Sequence, residues 1–467
     1  MIGGMDNIKR IHFVGIGGIG MSGIAWLCLR KGYSISGSDI KAAFLTNKLA
    51  DEGAKIFIGH RSENIEDPDI VVYSSAVLEQ NPELQEARAK GIPLLKRGEF
   101  LSFMGEAGQC IAVTGAHGKT TTSSLVATML QEAGLSPSGV VGALVPYFDG
   151  NAFIGEGKHF VVEADESDGS FLFLKPDIAV ITNIDLEHLD YYNSMEQIKE
   201  AYLKFMEKVP ANGKVICWGE DENICSLLEN FKGSVMTYGL NNGNDLRAKN
   251  IEFNGMASEF DCYYKTKYLG RFVINIPGEH NVLNSLAAIA VGLSVGLNPE
   301  VIISAVSEYR GAERRFQIKT EEDGIVVVDD YAHHPTEIIA TLKVARSMNP
   351  KRLVTIFQPH RFSRTKFLKD RFAKAFDGTD YLILTDIYPA DERPIYGVTS
   401  MLIYNDIVKT KKINVNYLAK GLLLDYVSSF VRKGDMLLFL GAGDIGKLSG
   451  EFVKMINDRE KMKLVLG

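Results

Sequence analysis

Residues 111–124 read Ile111-Ala-Val-Thr-Gly-Ala-His-Gly-Lys-Thr-Thr-Thr-Ser-Ser124. The apolar, β-branched start predicts a buried strand, the two glycines a turn, and the hydroxyl-rich run the opening of an amphipathic helical segment over 125–132. Strand, glycine loop and helix start are the parts of a phosphate cradle. Gly115 and Gly118 let backbone N–H groups face an anion. The helix N-terminus adds partial positive charge, Lys119 a full one, and Thr120 a hydroxyl for magnesium. The spacing is Gly-x-x-Gly-Lys-Thr, shorter than the standard P-loop, whose first glycine would fall at position 113, a valine here. A glycine turn carrying a solvated lysine is the plain alternative. The strand before and the helix after favour an ATP site over Gly115, Ala116, His117, Gly118, Lys119, Thr120 and Thr121.

A chain of 467 residues holds about three domains of roughly 150 residues, each large enough to bury its own core. The net charge of −7 gives no electrostatic reason to bind nucleic acid or an acidic membrane. Five scattered cysteines without a C-x-x-C pair suit a reducing, cytoplasmic setting and argue against structural zinc. Lys9-Arg10 before an apolar run resembles a signal peptide, but Gly15, Gly17, Gly18 and Gly20 interrupt the run and no cleavage site follows. It reads as folded structure, and no other segment is apolar enough to span a bilayer.

Upstream of the cradle, residues 11–14 predict a strand, Gly15-Ile-Gly-Gly-Ile-Gly20 a G-x-G-x-x-G loop, and 21–30 a helix. A second strand ends at Ser38-Asp39, an acid at the spacing of a ribose contact. Alone, this unit would suggest a nicotinamide-dependent dehydrogenase. Strands at 56–58, 70–73 and 92–95 continue the alternation, and Ser74-Ser75 closes one of them at its carboxyl end.

Downstream, the strand at 160–163 ends in Glu163-Ala-Asp-Glu-Ser-Asp168, carboxylates placed to hold ATP's magnesium. Solvation is the plainer reading for some of Asp165, Glu166 and Asp168. The strand at 178–182 runs into a loop with His188 among acids. Residues 245–277 alternate and predict antiparallel hairpins with turns at Asn254-Gly255 and Leu269-Gly270. Asn281 and Asn284 share one face of the next helix's first turn, as caps or as amides for an adenine edge. Residues 310–316 read as a hinge. Beyond it, strand ends carry His333, His334, His360, Arg361 and Arg364, clustered cations that either answer Asp329 and Asp330 or hold a substrate carboxylate.

These motifs, in this order over the whole chain, resemble the Mur ligase family. The resemblance rests on Gly15 to Met21, Gly115 to Thr121, Glu163 to Asp168, 183–192, His280 to Asn284, Arg314-Arg-Phe316, Asp329 to Pro335, 358–365 and Gly441 to Ile445. It implies an α/β fold of three domains: a Rossmann-like UDP-binding domain over 1–106, a P-loop-type ATPase with an antiparallel excursion over 107–313, and a Rossmann-like amino-acid domain over 314–467. It implies ATP-dependent ligation of L-alanine to the lactyl carboxylate of UDP-N-acetylmuramate through an acyl phosphate. ATP and Mg2+ are the implied cofactors, and the implied particle is a cytoplasmic monomer or weak homodimer.

Carried onto this chain, the sugar nucleotide falls to Gly15, Gly17, Gly18, Gly20, Met21, Ser38, Asp39 and Ser75, which overrules the dehydrogenase reading. Metal falls to Thr120, Glu163 and His188. Adenine falls to Asn281 and Asn284, closure over the nucleotide to Arg315 and Asp330, and the amino acid to His333, His360, Arg361 and Arg364. Lys119, His188, Arg315, Asp330 and His333 form the implied catalytic set, with His188 or His333 as the amine's base. Three substrates on three domains imply a closing motion. Ala116 and Ala332 replace an expected threonine and glycine. Tyr202 stands where sister ligases carry a modified lysine, so no carbamylated lysine is expected. The rivals are a murein-peptide or folate-type polyglutamate ligase, a nicotinamide oxidoreductase, and a P-loop switch.

Overall fold

The computed structural model describes residues 8–106, 108–188, 191–322, 324–390, 392–410 and 412–466, with side chains to 458. Position 107, where the second domain is expected to begin, and residues 189–190 of the His188 loop lie outside them. Among the described residues the strands gather into three sheets.

In the first sheet, β1 (Arg10–Val14), β2 (Ser34–Asp39), β3 (Lys55–Ile58), β4 (Ile70–Tyr73) and β5 (Leu94–Lys96) lie in the order β3-β2-β1-β4-β5. All its pairings are parallel. Helices α1 (Ile19–Arg30), α2 (Phe44–Asp51) and α3 (Pro82–Ala89) join β1–β2, β2–β3 and β4–β5, a 3-10 turn at Ser62–Asn64 joins β3–β4, and α4 (Arg97–Gly105) leads on from β5. Order reverses beside β1, so the Gly15 loop sits at the switch point, where open parallel sheets hold ligands. Beneath it lies a buried polar knot. Glu83 Oε2 accepts from Ser38 Oγ at 2.5 Å, Asn64 donates to Oε1, and His12 Nε2 approaches at 3.5 Å. Glu83, His12 and Ser38 are fully buried, so every lone pair there needs its partner.

The second sheet runs β15-β14-β13-β12-β11-β10-β6-β9-β7-β8. Its strands are β6 (Gln109–Thr114), β7 (Ser138–Val145), β8 (Gly150–Phe153), β9 (His159–Glu163), β10 (Ile178–Ile181), β11 (Lys214–Trp218), β12 (Val235–Gly239), β13 (Leu246–Asn254), β14 (Ala257–Tyr264) and β15 (Lys267–Ile274). Helix α5 (Lys119–Glu132) follows β6 directly. It is not the amphipathic helix its hydroxyls suggest: every residue from Thr120 to Leu130 is buried. The hydroxyls turn inward instead, Ser124 Oγ reaching the Thr120 carbonyl at 2.6 Å and Tyr309 Oη at 2.6 Å. The turn expected at Leu269-Gly270 is not one. Gly270 lies inside β15, and the chain reverses before Lys267, where Lys265 takes φ +55°.

One apolar core runs from Ile11, Phe13 and Ile24 through Ala112, Val140 and Ala152 to Val215 and Leu227. The first two sheets therefore share this core, and the first sheet has a second, smaller cluster around Val14, Val71 and Leu84. Gly23 of α1 permits the sharing, because a methyl there would come within 2.9 Å of Val140 Cγ1.

The chain divides into two compact units. One reaches Glu252 and resumes over Glu259–Asn275 and Asn281–Arg310; the other holds Phe253–Ser258, Ile276–His280 and the chain from Gly311. The second unit carries the third sheet, β16 (Gln317–Glu322), β17 (Ile325–Asp330), β18 (Arg352–Phe357), β19 (Tyr381–Leu384), β20 (Asn414–Tyr417) and β21 (Asp435–Leu440), ordered β16-β17-β21-β18-β19-β20. Only the edge strand β16 is antiparallel, paired with β17. Among the described residues no helix is long and apolar enough to cross a membrane.

Candidate active site

In the first unit, the β6–α5 loop is bent by Gly115 at φ +135° and Gly118 at φ +83°, backbone angles that L-residues rarely adopt. Both also lack room for a side chain: a methyl on Gly115 would meet Thr182 Oγ1 at 2.0 Å, and one on Gly118 would meet Asn284 Oδ1 at 2.4 Å. The loop is braced from the end of β10. Asn183 Oδ1 accepts from His117 N at 2.9 Å while its Nδ2 donates to His117 O at 2.9 Å. Thr182 Oγ1 adds a bond to that carbonyl at 2.5 Å.

Lys119 is mostly buried and donates to Gly115 O at 2.6 Å and to Glu166 Oε1 at 2.7 Å. Burial alone would lower its pKa, but Glu166, Asp165 and Glu163 outweigh this and hold it raised, so the ammonium is permanent. Glu166 is only 3 % exposed, and His188 Nε2 approaches it at 3.3 Å. The solvated reading, left open for some of these acids, does not apply to Glu166: it is buried against the Lys119 ammonium and the His188 imidazole, partners that let a carboxylate be buried. Asp165 is held by Arg97 at 3.0 Å, and Asp168 accepts from Ser170 N at 2.9 Å. His188 itself takes φ +55°, an uncommon backbone state for a residue other than glycine and one that collects at functional sites. Burial pushes its pKa down, and Glu166 and Glu187 together bring it above the ordinary value.

Thr120 Oγ1 donates to Glu163 Oε1 at 3.1 Å, and Glu163 Oε2 accepts from Gly142 N at 2.7 Å. Gly142 leaves the space the carboxylate needs, since a methyl there would meet it at 2.4 Å. A hydroxyl and a carboxylate side by side are hard oxygen donors of the kind magnesium takes. Asn284 and Asn281 are buried and bonded to each other at 3.1 Å, with Thr122 donating to Asn284 Oδ1 at 3.3 Å. In this arrangement Asn284 closes the back of the Gly118 turn.

At the first glycine loop, Gly15 N and Ile16 N donate to Ser38 O at 2.9 and 3.0 Å, and Gly17 N to Asp39 Oδ2 at 2.8 Å. The Ser38 hydroxyl is buried on Glu83, where it shapes the loop. Asp39 likewise fixes Gly17, while Ser75 is exposed beyond β4.

In the second unit, Asp330 is a buried bracket. It accepts from Phe316 N at 2.6 Å, Ala332 N at 2.8 Å and Thr341 Oγ1 at 3.2 Å, which ties residues 314–316 to the end of β17. Burial raises its pKa against the pull of Arg315 and those N–H groups. Arg314 pairs with Asp329 at 3.2 Å, and Arg315 lies over the Tyr331 ring at 5.1 Å. The expected cation cluster forms: His333 and His360 have ring centroids 5.5 Å apart, and Arg364 Nη1 meets His360 Nδ1 at 3.0 Å. The sequence did not reveal three partners. Glu337 faces His333 Nδ1 at 3.4 Å, Tyr388 stacks on His360 at 5.6 Å, and Glu392 approaches Arg361 at 3.9 Å. Arg361 holds φ +69°.

This chain carries two glycine loops at strand ends, a lysine paired to a buried acid and a cation cluster on a third sheet. The models of one family match it in order: "Mur ligase family, catalytic domain" over 10–107, "Mur ligase middle domain" over 113–292 and "Mur ligase, glutamate ligase domain" over 314–443. The chain belongs to the Mur ligase family.

Within it, the chain is similar to the UDP-N-acetylmuramate–L-alanine ligase of Geotalea daltonii, 46% identical over 97% of this chain and 99% of that one. The enzyme of that name from Aquifex aeolicus is also 46% identical, over 97% and 99%. The solved UDP-N-acetylmuramate-alanine ligase of Thermotoga maritima superposes with a TM-score of 0.83 at 32% identity, covering 96% of this chain and 99% of that one. A murein peptide ligase from Psychrobacter arcticus shares the fold at TM-score 0.72 and 23% identity, over 96% of this chain and 98% of its own.

Proposed function

We infer that the chain ligates L-alanine to the lactyl carboxylate of UDP-N-acetylmuramate at the expense of ATP, a cytoplasmic step of peptidoglycan precursor synthesis. The observation carrying this is full-length similarity at 46% identity to ligases of that name, joined to a Lys119–Glu166 pair over a glycine turn. A carboxylate is a poor electrophile, since an attacking amine would have to expel oxide. The lactyl oxygen therefore attacks the γ-phosphorus of ATP and ADP leaves. The amine of alanine then attacks the acyl carbon, and phosphate departs with the oxygen.

The chain's own groups place and neutralise charge. The N–H groups of the Gly115–Thr121 loop and Lys119 receive the β- and γ-phosphates. Glu166 and His188 hold Lys119's ammonium on the loop rim, and Asn281 and Asn284 keep Gly118 in its turn. Thr120 and Glu163 would hold magnesium, which supplies charge neutralisation at the phosphates; His188 is the third candidate ligand. The Gly15–Gly20 loop, with Met21, Asp39 and Ser75, receives the sugar nucleotide. Arg361, Arg364 and His360 receive alanine's carboxylate. Of the two candidate bases, His188 and His333, His333 is supported by its surroundings: its Nδ1 faces Tyr331 O at 2.9 Å and Glu337, which favours the tautomer carrying the lone pair on Nε2.

The test is phosphate release by purified protein with ATP and magnesium. Release should require UDP-N-acetylmuramate and alanine together, and hydroxylamine should trap an activated acid when alanine is withheld. Turnover with a murein tripeptide in place of alanine would instead identify a recycling ligase. Turnover without any acceptor acid would identify a nucleotide switch.

A further inference from the structure

Arg97 opens α4 and belongs to neither glycine loop, yet it touches the structure around both. A methyl placed on Gly20 would come within 2.7 Å of Arg97 Nη1, so the guanidinium lies directly over the first turn of α1. Its other edge is on Asp165, Nη2 to Oδ2 at 3.0 Å. Asp165 is itself fixed: its Oδ1 accepts from Ser167 N at 3.0 Å, and its carbonyl takes Phe171 N at 3.0 Å and Ser170 Oγ at 3.1 Å. In the chain it stands between Glu163, the partner of Thr120, and Glu166, the partner of Lys119.

The helix carrying Arg97 is clamped to this acidic segment. A methyl on Gly98 would fall 2.7 Å from Ser170 Cβ, and Ser102 Oγ donates to Phe173 O at 2.7 Å. Arg97 is thus a short, rigid bridge between the first turn behind one phosphate loop and the carboxylate segment beneath the other. A guanidinium offers planar pairs of donors on two edges, so it can hold a carboxylate and a phosphate at once; a lysine's single ammonium cannot.

We propose that Arg97 binds the diphosphate of the sugar nucleotide with the edge over Gly20 and, through Asp165, sets the acidic segment that positions Lys119 and Thr120. The inference rests on the reading of the Gly15–Gly20 loop as the sugar-nucleotide site. Calorimetry on the full chain tests it, with UDP-N-acetylmuramate and ATP titrated separately into wild type, Arg97→Ala, Arg97→Gln, Arg97→Lys and Asp165→Asn. Arg97→Gln keeps the stem's packing should the alanine variant fold poorly.

Arg97→Ala and Arg97→Gln should weaken sugar-nucleotide binding at least ~10-fold, the scale of losing a charged hydrogen bond, and weaken ATP binding by a smaller factor, because Lys119 and Thr120 feel Arg97 only through Asp165. Arg97→Lys should recover much of that affinity without recovering kcat. Asp165→Asn should lower kcat about 10-fold and leave sugar-nucleotide affinity within ~3-fold. Unchanged sugar-nucleotide binding in Arg97→Gln, beside a wild type that binds it, overturns this proposal alone. A wild type that binds no UDP-sugar overturns it together with the reading beneath it.

Discussion

Lys119→Ala separates a phosphate cradle from a stabilising ion pair, because the structure gives a magnitude for each. Lys119 Nζ lies 2.7 Å from Glu166 Oε1. At an effective dielectric of ~20 that is a gross attraction of about 6 kcal/mol, most of it offset by desolvation of the two groups. Removing one partner of a buried pair costs ~3–5 kcal/mol because it strands the other. Here the stranded Glu166 keeps His188 at 3.3 Å, so the lower end, ~3 kcal/mol, is expected. At roughly 2–4 °C per kcal/mol for a domain of 150–250 residues, Tm should fall by no more than ~12 °C.

The kinetic effect is separate. Loss of one preorganised donor at developing charge costs ~10²–10³ in kcat. Phosphate release and thermal unfolding should be measured on Lys119→Ala and on the double variant Lys119→Ala/Glu166→Ala. The double variant strands no charge, so it should regain part of the lost Tm while kcat stays down. Turnover of Lys119→Ala within ~3-fold of wild type would refute the argument. So would a double variant that regains activity along with stability, since the lysine would then have served only to neutralise Glu166.

Three further outcomes follow from the same geometry. Gly118→Ala forces a side chain into φ +83° and to within 2.4 Å of Asn284 Oδ1; at ~1–2 kcal/mol for the backbone alone, ATP affinity should fall about 10-fold or more, and an unaltered Kd by calorimetry would reject the tight turn. Thr120→Val should raise the magnesium concentration for half-maximal phosphate release at least ~10-fold, the scale of disturbing a metal's ligand shell; an unmoved titration would remove Thr120 from the metal site. In the knot under the first loop, burial raises the pKa of Glu83 but His12, Ser38 and Asn64 lower it further, for a net depression. A depressed carboxyl contributes stability above its unfolded pKa of ~4.3 and loses it as pH falls through the folded value. Glu83→Gln should therefore unfold at lower temperature at pH 7 and show a shallower loss of Tm below pH ~4; parallel Tm–pH curves would contradict this.

What the sequence disclosed was whatever one segment can encode by itself. The β-branched run Ile111–Ala112–Val113 can do little but form a buried strand. A glycine followed by lysine and threonines has few stable conformations other than a helix start at an anion site. Strand ends carrying Glu163, His188, His333 and Arg361 were legible because charged residues directly after apolar runs have no place in the core. The α/β alternation followed from repeating that pattern, while the three-domain plan came from chain length and the family resemblance.

What stayed hidden was set by partners far away in the chain. Helix α5 reads as amphipathic over 125–132, yet it is buried through Leu130, and each hydroxyl of Thr122, Ser123 and Ser124 is buried against backbone, a distant carboxylate or an amide. The shared core of the first two sheets depends on Gly23 meeting Val140, a contact across more than a hundred residues that neither segment announces. Ser38 is assigned through the family resemblance, and only the structure shows its hydroxyl on the buried Glu83.

Glu166 is the sharpest case. In Glu163-Ala-Asp-Glu-Ser-Asp168 all the acids look alike, and a solvated loop is the cheapest state for four carboxylates in six residues. What distinguishes them is which donor or cation each one finds: the Thr120 hydroxyl and Gly142 N–H for Glu163, Arg97 for Asp165, Lys119 and His188 for Glu166, and a backbone amide for Asp168. Those partners come from β6–α5, β7, α4 and the β10 loop, elements that meet only when the parallel sheet assembles. A carboxylate's burial is decided by its counter-charge, so the function of this segment became readable at the same stage as the fold and no earlier.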